Sequence, residues 1–328
     1  MSRPVAVYTD VTELDPAPGV ALLEQAGFEV RVLDESDPDR VAALAADASV
    51  LLIGYSVVDA ALLDRLPQLR LVCTQSAGVD TVDLAAAAAR GVQVAHVPDG
   101  ATDDVAGHAL AMALALVRGL PFLDRQVREG QWDGTSEPLR RLSSVRLGVV
   151  GMGRIGRRLA TMALPLFGEV VGHDPVPGTQ HWPDGVRSAS FDDLLAEVDV
   201  LSLHLPLTDG TRSLLGAPQL ARMRPDALLV NVSRGGLVDH DALLAALDDG
   251  RLAGAALDVL PVEPPPADSV VLRHPRVLLT PHAAYLSPDS AAAYVRTQAE
   301  NAVAWRDTGR ALHVVGPAPG PVASGHPG

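Results

Sequence analysis

The feature that most constrains this chain lies at residues 146–156. An apolar run at 147–150 leads directly into glycines at 151, 153 and 156, and residues 157–162 continue as a helical pattern. A lone GxGxxG carries little weight, since any Gly-rich turn can match it. Strand, glycines and helix in this order answer a mechanical need. Gly151 permits the tight turn, Gly153 lets the backbone approach a pyrophosphate, and Gly156 lets the helix pack closely on the strand. The helix N-terminus then presents unpaired N–H groups to the phosphate charge. Asp174 follows the next apolar run, about 20 residues on, where a carboxylate bonds the ribose hydroxyls and repels a 2′-phosphate.

Such a motif belongs within a series of βα units, and the chain offers two. Short apolar runs at 5–8, 29–33, 50–53, 71–74 and 92–96 read as strands, with helical patterns such as 19–26 and 60–66 between them. Residues 102–118 read as one long helix. Thr102, Asp103 and Asp104 are expected to supply its cap and its first-turn charge, and Gly119 and Pro121 to end it. A second helix runs to about residue 129. From Arg146 a fresh series begins, with strands expected at 147–150, 169–173, 200–204, 228–232, 255–259 and 277–280. A last helix over 287–308 can return the chain to the first series. The expected fold is α/β, with two doubly wound parallel-sheet domains. A Rossmann NAD domain, residues 101–287 including the linking helix, is inserted in a flavodoxin-like substrate domain, residues 1–100 and 288–328. The Pro- and Gly-rich tail, 316–328, is expected to be mobile.

Composition agrees and excludes several function classes. Hydrophobic residues make up 48% of the 328, yet aromatics only 3%, so the core must be Ala, Val and Leu, which suits buried parallel strands. A net charge of −14 disfavours nucleic acid and anionic membrane as partners. All 26 cationic residues are Arg, which excludes a Lys Schiff base. Cys73 is the one cysteine, so no internal disulfide or multi-cysteine metal site can form, and it is read as a buried strand residue. The opening residues read as a strand, not a targeting segment, and the longest apolar run, 109–117, is too short to span a bilayer. A soluble cytoplasmic protein is the expectation.

Three further segments place charged residues at strand ends, where open α/β sheets bind ligands. They are Asn231 to Gly236 (NVSRGG), Asp258 to Pro266 (DVLPVEPPP) and Thr280 to Tyr285 (TPHAAY). Taken singly, each charged residue has a bland explanation: His282 as a loop residue, Glu263 as a solvated acid, Arg234 as a surface cation, Asp258 as a strand-end cap. Together with the glycine motif, in this order, they resemble the D-isomer-specific 2-hydroxyacid dehydrogenase family over nearly the whole chain. Residues 75–80 (QSAGVD), 263–268 (EPPPAD) and 281–285 (PHAAY) look like its C-terminal-binding-protein-related branch, and residues 102–106 (TDDVA) are also similar to hydroxypyruvate reductases.

The resemblance implies an NAD-dependent oxidoreductase that passes a hydride between the nicotinamide and a small 2-keto or 2-hydroxy acid of D configuration, the two domains closing to exclude water. It implies His282 as the acid/base, Glu263 as the carboxylate orienting its ring, and Arg234 as the grip on the substrate carboxylate. A histidine suits reversible proton transfer near neutral pH, and a planar guanidinium suits a carboxylate. Backbone amides of Ala77 and Gly78 are implied for the substrate carboxylate. The implied cofactor set is Thr102, Gly151, Gly153, Arg154, Ile155, Gly156, Asp174, Ser233 and Asp258, the last accepting from the nicotinamide carboxamide. No metal is implied, and a homodimer is, through helix 102–118. His108, on the apolar helix, is read as structural. Ala101 and Gly107 depart from residues common in the family (Asn, and Glu or Asp), and Tyr285 from the Trp common in that branch. The alternative is an NAD-sensing scaffold or transcriptional co-regulator with little turnover. A metal hydrolase is a distant third, since no HExxH occurs. The substrate stays open among glyoxylate, hydroxypyruvate, pyruvate and larger keto acids, with residues 54–56 (GYS) expected to help decide.

Overall fold

The computed structural model describes residues 3–11, 13–135, 138–176 and 182–316. The tail expected to be mobile falls, from residue 317 on, outside them. The chain divides into two compact units, Met1–Gly100 with Ser287–Gly328, and Ala101–Leu286. The expected boundary at 288 falls one residue past this division, because Ser287 is the cap of the last helix.

In the first unit, strands β1 (Val5–Tyr8), β2 (Glu29–Val32), β3 (Val50–Ile53), β4 (Leu71–Thr74) and β5 (Gln93–Ala95) are linked by helices α1 (Ala17–Gln25), α2 (Pro38–Leu44), α3 (Ala60–Asp64) and α4 (Leu84–Ala89). The strands pair in parallel in the order β2-β1-β3-β4-β5. Strands β1, β3 and β4 are wholly buried, as continuous apolar runs covered on both faces must be, whereas edge strand β2 exposes both ends. The alternation of side chains sends Val7, Leu51 and Val72 into one core beside α2 and α3, and Tyr8, Leu52 and Cys73 into another beside α1. Asp37, Asp59 and Asp83 each accept N–H bonds that start α2, α3 and α4, caps worth about 1 kcal/mol apiece.

The second unit opens with α5 (Thr102–Val117) and α6 (Leu120–Arg128). Then β6 (Arg146–Val150), α7 (Arg154–Ala163), β7 (Glu169–His173), β8 (Val186–Ser188), α8 (Phe191–Glu197), β9 (Val200–Leu203), α9 (Ala217–Leu220), β10 (Leu228–Asn231), α10 (His240–Asp248), β11 (Gly254–Leu257) and β12 (Val277–Leu279) follow. All strands are parallel, in the order β12-β11-β10-β9-β6-β7-β8. That is two halves wound outward from a switch point between β6 and β9, the place where such sheets bind ligands.

The last helix, α11 (Pro288–Thr308), packs on α1 and β4 of the first unit. Buried Gln298 pins it there, its amide donating to Ile53 O (3.1 Å) and Cys73 O (2.9 Å) at the ends of β3 and β4. Asn301 likewise donates to His96 O (3.0 Å) and accepts from His313 N (2.9 Å). The chain then adds β13 (Val314–Val315), antiparallel to β5.

Two short strands, β8 and β13, escape the sequence reading, since two or three residues carry no periodicity. The expected cap of α5 is corrected. Ala101 is its N-cap and makes no side-chain cap bond. Thr102 is already inside the helix, where its hydroxyl cannot bridge to the N–H groups a turn ahead. Asp103 and Asp104 do lie in the first turn, and Asp103 pairs with Arg158 of α7 at 2.7 Å. Among the described residues no single helix is long and apolar enough to cross a membrane.

Candidate active site

At the end of β6 the glycines differ in what surrounds them. Gly151 has φ +95°, and a Cβ there would stand 2.5 Å from His204 O. A Cβ on Gly156 would stand 1.9 Å from Gly151 O. Neither position admits a side chain. Gly153, the N-cap of α7, would meet nothing within 4 Å. The glycine that must face a pyrophosphate therefore has an open side, and the two that face protein have none. Arg154 is exposed and Ile155 half-buried in the first turn of α7. Asp174, just past β7, accepts from Met152 N (2.8 Å) and Val176 N (2.9 Å), so its carboxylate sits against the glycine loop. These residues fit a dinucleotide. Beside them burial pushes His204 down to about 3, leaving it neutral, and its Nε2 lies 2.8 Å from Ser202 Oγ.

The loop after β10 is organised by buried Asn231. Its amide donates to Arg234 O (2.9 Å), and its carbonyl accepts from Ser233 N (3.1 Å). Ser233 Oγ donates to Leu203 O (2.8 Å), tying the loop to the end of β9. Arg234 is half-buried and donates from Nη1 to Ser233 O (2.8 Å). A Cβ on Gly235 would lie 2.1 Å from Leu260 C, so this loop rests directly on the backbone that leads to Glu263.

Glu263 and His282 meet there, with Nδ1 to Oε2 at 2.6 Å and about a third of each side chain exposed, 34% and 30%. Glu263 Oε1 also accepts from Leu260 N (2.7 Å). Burial alone would raise its carboxyl. The bonds from His282 and Leu260 N, and the charges of His282 and Arg234, hold it below the usual carboxylate range. His282 has φ +52°, a left-handed conformation that costs a non-glycine residue about 1–2 kcal/mol. Tyr285 stands edge-on to its ring, centroids 6.4 Å apart.

The side chain of Asp258 has no exposed surface. Its Oδ1 accepts from Thr280 Oγ1 (2.5 Å) and Ala283 N (2.9 Å), its Oδ2 from Ala284 N (3.0 Å), and its backbone O from His282 N (2.8 Å). Asp258, the expected acceptor for the nicotinamide carboxamide, also holds the loop that carries His282. His108 of α5, read as merely structural, has Nε2 3.0 Å from Thr280 Oγ1.

Thr102 opens α5, half-buried. In the first unit, the carbonyl of Gly78 accepts from Ser76 Oγ (2.6 Å) and that of Ala77 lies 2.8 Å from His96 Nδ1. At that unit's own switch point, between β1 and β3, Asp10 accepts from Gly54 N (3.0 Å), Tyr55 N (2.5 Å), Ser56 Oγ (2.7 Å) and Thr9 Oγ1 (2.6 Å). Burial would raise its carboxyl, but these bonds hold it below its ordinary value. Asn231, Gly235 and Thr280 lie in the strand-end segments read from sequence but were given no role there, and Asp10 was not singled out. Their common signal is position: a polar or glycine residue at the carboxyl end of a strand. Among the described residues no group of three or more His, Cys, Asp or Glu could hold a metal ion.

The family described as D-isomer specific 2-hydroxyacid dehydrogenase, NAD binding domain, matches residues 110–284. A D-3-phosphoglycerate dehydrogenase of Mycobacterium bovis is 38% identical over 284 residues, 86% of this chain and 53% of that protein. This chain therefore spans about half the length of that relative. A glyoxylate reductase of Korarchaeum cryptofilum is 36% identical over 306 residues, 90% of this chain and 92% of its own length. The crystal structure of an NADPH-dependent glyoxylate/hydroxypyruvate reductase from Sinorhizobium meliloti, in complex with NADP and malonate, is 31% identical. It superposes with a TM-score of 0.86, covering 97% of this chain and 98% of its own. None of these three is a C-terminal-binding protein, and they lend that branch resemblance no support.

Proposed function

Because this chain belongs to the D-isomer-specific 2-hydroxyacid dehydrogenase family, we propose that it reduces a small 2-keto acid to the D-2-hydroxy acid, and the reverse. The observation that carries the reading is the His282–Glu263 pair at 2.6 Å, beside Arg234. When bound, NADH supplies the hydride. With Nδ1 turned to Glu263, the imidazole has Nε2 left to give a proton to the keto oxygen and to recover it in oxidation. Glu263 orients the ring through its Nδ1. Arg234 binds the substrate carboxylate through two parallel N–H bonds and draws charge toward the keto group. Ala77 and Gly78 are proposed as substrate-binding residues through their backbone amides.

For the cofactor, the open side at Gly153 and the start of α7 (Arg154, Ile155) take the pyrophosphate, while Gly151 and Gly156 shape the turn. Asp174 takes the adenine ribose, and Thr102 and Ser233 line the same site. The Sinorhizobium reductase is NADPH-dependent. The carboxylate of Asp174 favours NADH here, since it would repel a 2′-phosphate. We propose a homodimer, supported by exposed Leu120, Val127 and Trp132 on and beyond α6. A cytoplasmic site of action, with no nucleic acid or membrane partner, accords with the charge of −14.

An NAD-sensing scaffold with little turnover would not require a histidine aligned on a carboxylate beside an arginine. The test is NADH oxidation by the full chain with glyoxylate, hydroxypyruvate, pyruvate and larger 2-keto acids, alongside His282→Asn. Turnover with at least one acid, lost in the variant while NADH still binds, is expected. Full activity in His282→Asn, or none in the parent with any acid, overturns the reading.

A further inference from the structure

A hydroxyl carries one hydrogen, and Thr280 gives its own to Asp258 Oδ1 at 2.5 Å. Toward His108 Nε2, 3.0 Å away, the same oxygen can then only accept. His108 Nε2 therefore bears a hydrogen, and the chain of donors runs in one direction, from His108 to Thr280 to Asp258. His108 Nε2 also lies 3.7 Å from Asp258 Oδ1. On its other side this carboxylate, together with the Asp258 carbonyl, receives the backbone N–H groups of His282, Ala283 and Ala284 in succession. The backbone N–H of Asp258 donates to Asn231 O (3.0 Å), whose own side chain holds Arg234 O. Asp258 is thus the point where the His282 loop and the Arg234 loop are fastened together, and His108 and Thr280 close it from behind.

His282 needs such a fastening. Its φ of +52° favours glycine, and a histidine stays there only if its surroundings hold it. Three successive N–H groups directed at one residue provide that hold, provided the carboxylate keeps its orientation. Two oxygens that must each face a chosen donor are free to rotate unless something fixes them. The hydroxyl of Thr280 does so, and a hydroxyl is itself a rotor that His108 fixes in turn.

We propose that His108, acting through Thr280, is a positioning residue that orients the Asp258 carboxylate and so sets the His282 imidazole for proton transfer. The proposal rests on the acid/base reading of His282 given above. It gives a polar role to a helix residue followed in sequence by Ala, Leu, Ala and Met.

The experiment uses the full chain with NADH and glyoxylate, or whichever 2-keto acid the panel selects, and the variants Thr280→Val, Thr280→Ser, His108→Phe and His108→Gln. Valine keeps the shape of threonine without the hydroxyl, and the Gln amide can present a donor close to where Nε2–H stood. Thr280→Val and His108→Phe are expected to lower kcat roughly 10- to 100-fold, as small misplacements of a reacting group do. NADH Kd should change much less than kcat, because the glycine loop proposed to take the pyrophosphate follows β6. Thr280→Ser and His108→Gln should recover most of the loss, and the double variant should be no worse than the poorer single one. Amide hydrogen exchange of residues 282–284, measured without substrate, should quicken in Thr280→Val and not in Thr280→Ser. Unchanged exchange and wild-type kcat in Thr280→Val would overturn the proposal even if His282→Asn is dead. If His282→Asn is active, the acid/base reading fails instead, and the exchange measurement still decides whether this network holds the loop.

Discussion

At the scale of single residues, the site is a set of charges each fixed by its neighbours. Glu263 is held below the usual carboxylate range by bonds from His282 and Leu260 N and by nearby positive charge, which outweigh its burial. It therefore stays ionised to more acid pH than a free carboxylate, and the pair is lost only as pH falls through that lowered range. Glu263→Gln keeps the shape and removes the charge that aligns the ring, and it should lower kcat roughly 10- to 100-fold in both directions with NADH Kd nearly unchanged. Steady-state rates in the two directions check this, and parental kcat in the variant removes Glu263 from its role. Arg234→Lys should sharply lower kcat/KM with NADH affinity nearly unchanged, because a point charge cannot reproduce a planar two-bond grip. Near-normal turnover in that variant would count against the assignment. Asp174 predicts that NADH is used at least about tenfold more efficiently than NADPH, a difference of about 1.4 kcal/mol. Initial rates with both cofactors measure it, and equal rates refute it.

At the scale of elements, the site residues of the second unit lie on the segments that follow strand ends, except those of α5 and α7. What brings β10 and β11 to a common centre is the contact of their following loops. Gly235 makes it possible, since a Cβ would stand 2.1 Å from the backbone of Leu260. Gly235→Ala must push the Arg234 loop away from the Glu263 loop. It should cost about 1–3 kcal/mol by overpacking, read as a lower melting temperature, and should lower kcat more than it alters NADH binding. A variant with parental kcat would show that the two loops need not touch. The glycine motif was legible from sequence because its demands are local: a turn, a helix start, a strand behind them. The role of Gly235 was not, because its reason is a backbone segment about 25 residues further on that no local pattern announces.

At the scale of the molecule, two doubly wound sheets are built from one continuous chain, and α11 returns to complete the first. That return was legible as a long helical pattern, but not how it is fastened. Gln298 and Asn301 reach carbonyls more than 200 positions away in sequence, at separations of 245, 225 and 205 residues. The second unit leaves Trp132 90% exposed, with Leu120 and Val127 about half exposed. Exposed apolar side chains near one another in sequence support the proposed association surface. A dimer mass by light scattering at micromolar concentration is expected, and Trp132→Asp should shift it toward the monomer. A monomeric parent would refute the dimer.

What the sequence by itself determined are the things that depend on near neighbours. Buried strands follow from continuous apolar runs, helices from apolar spacing and Asp caps, and the turn at Gly151 from a backbone that no other residue could follow. His282, Glu263 and Arg234 were named together through the resemblance to a known family that the order of motifs carries. Only the tertiary structure decided what holds them. The hydrogen bond between His282 and Glu263 spans 19 residues, that between Thr280 and Asp258 spans 22, and that between His108 and Thr280 spans 172. A hydrogen bond requires two atoms within about 3 Å. Two atoms so far apart in sequence meet at that distance only when whole strands and helices have packed. The sequence therefore showed Asp258 as an acid at a strand end, and the fold made it the fastening of two loops.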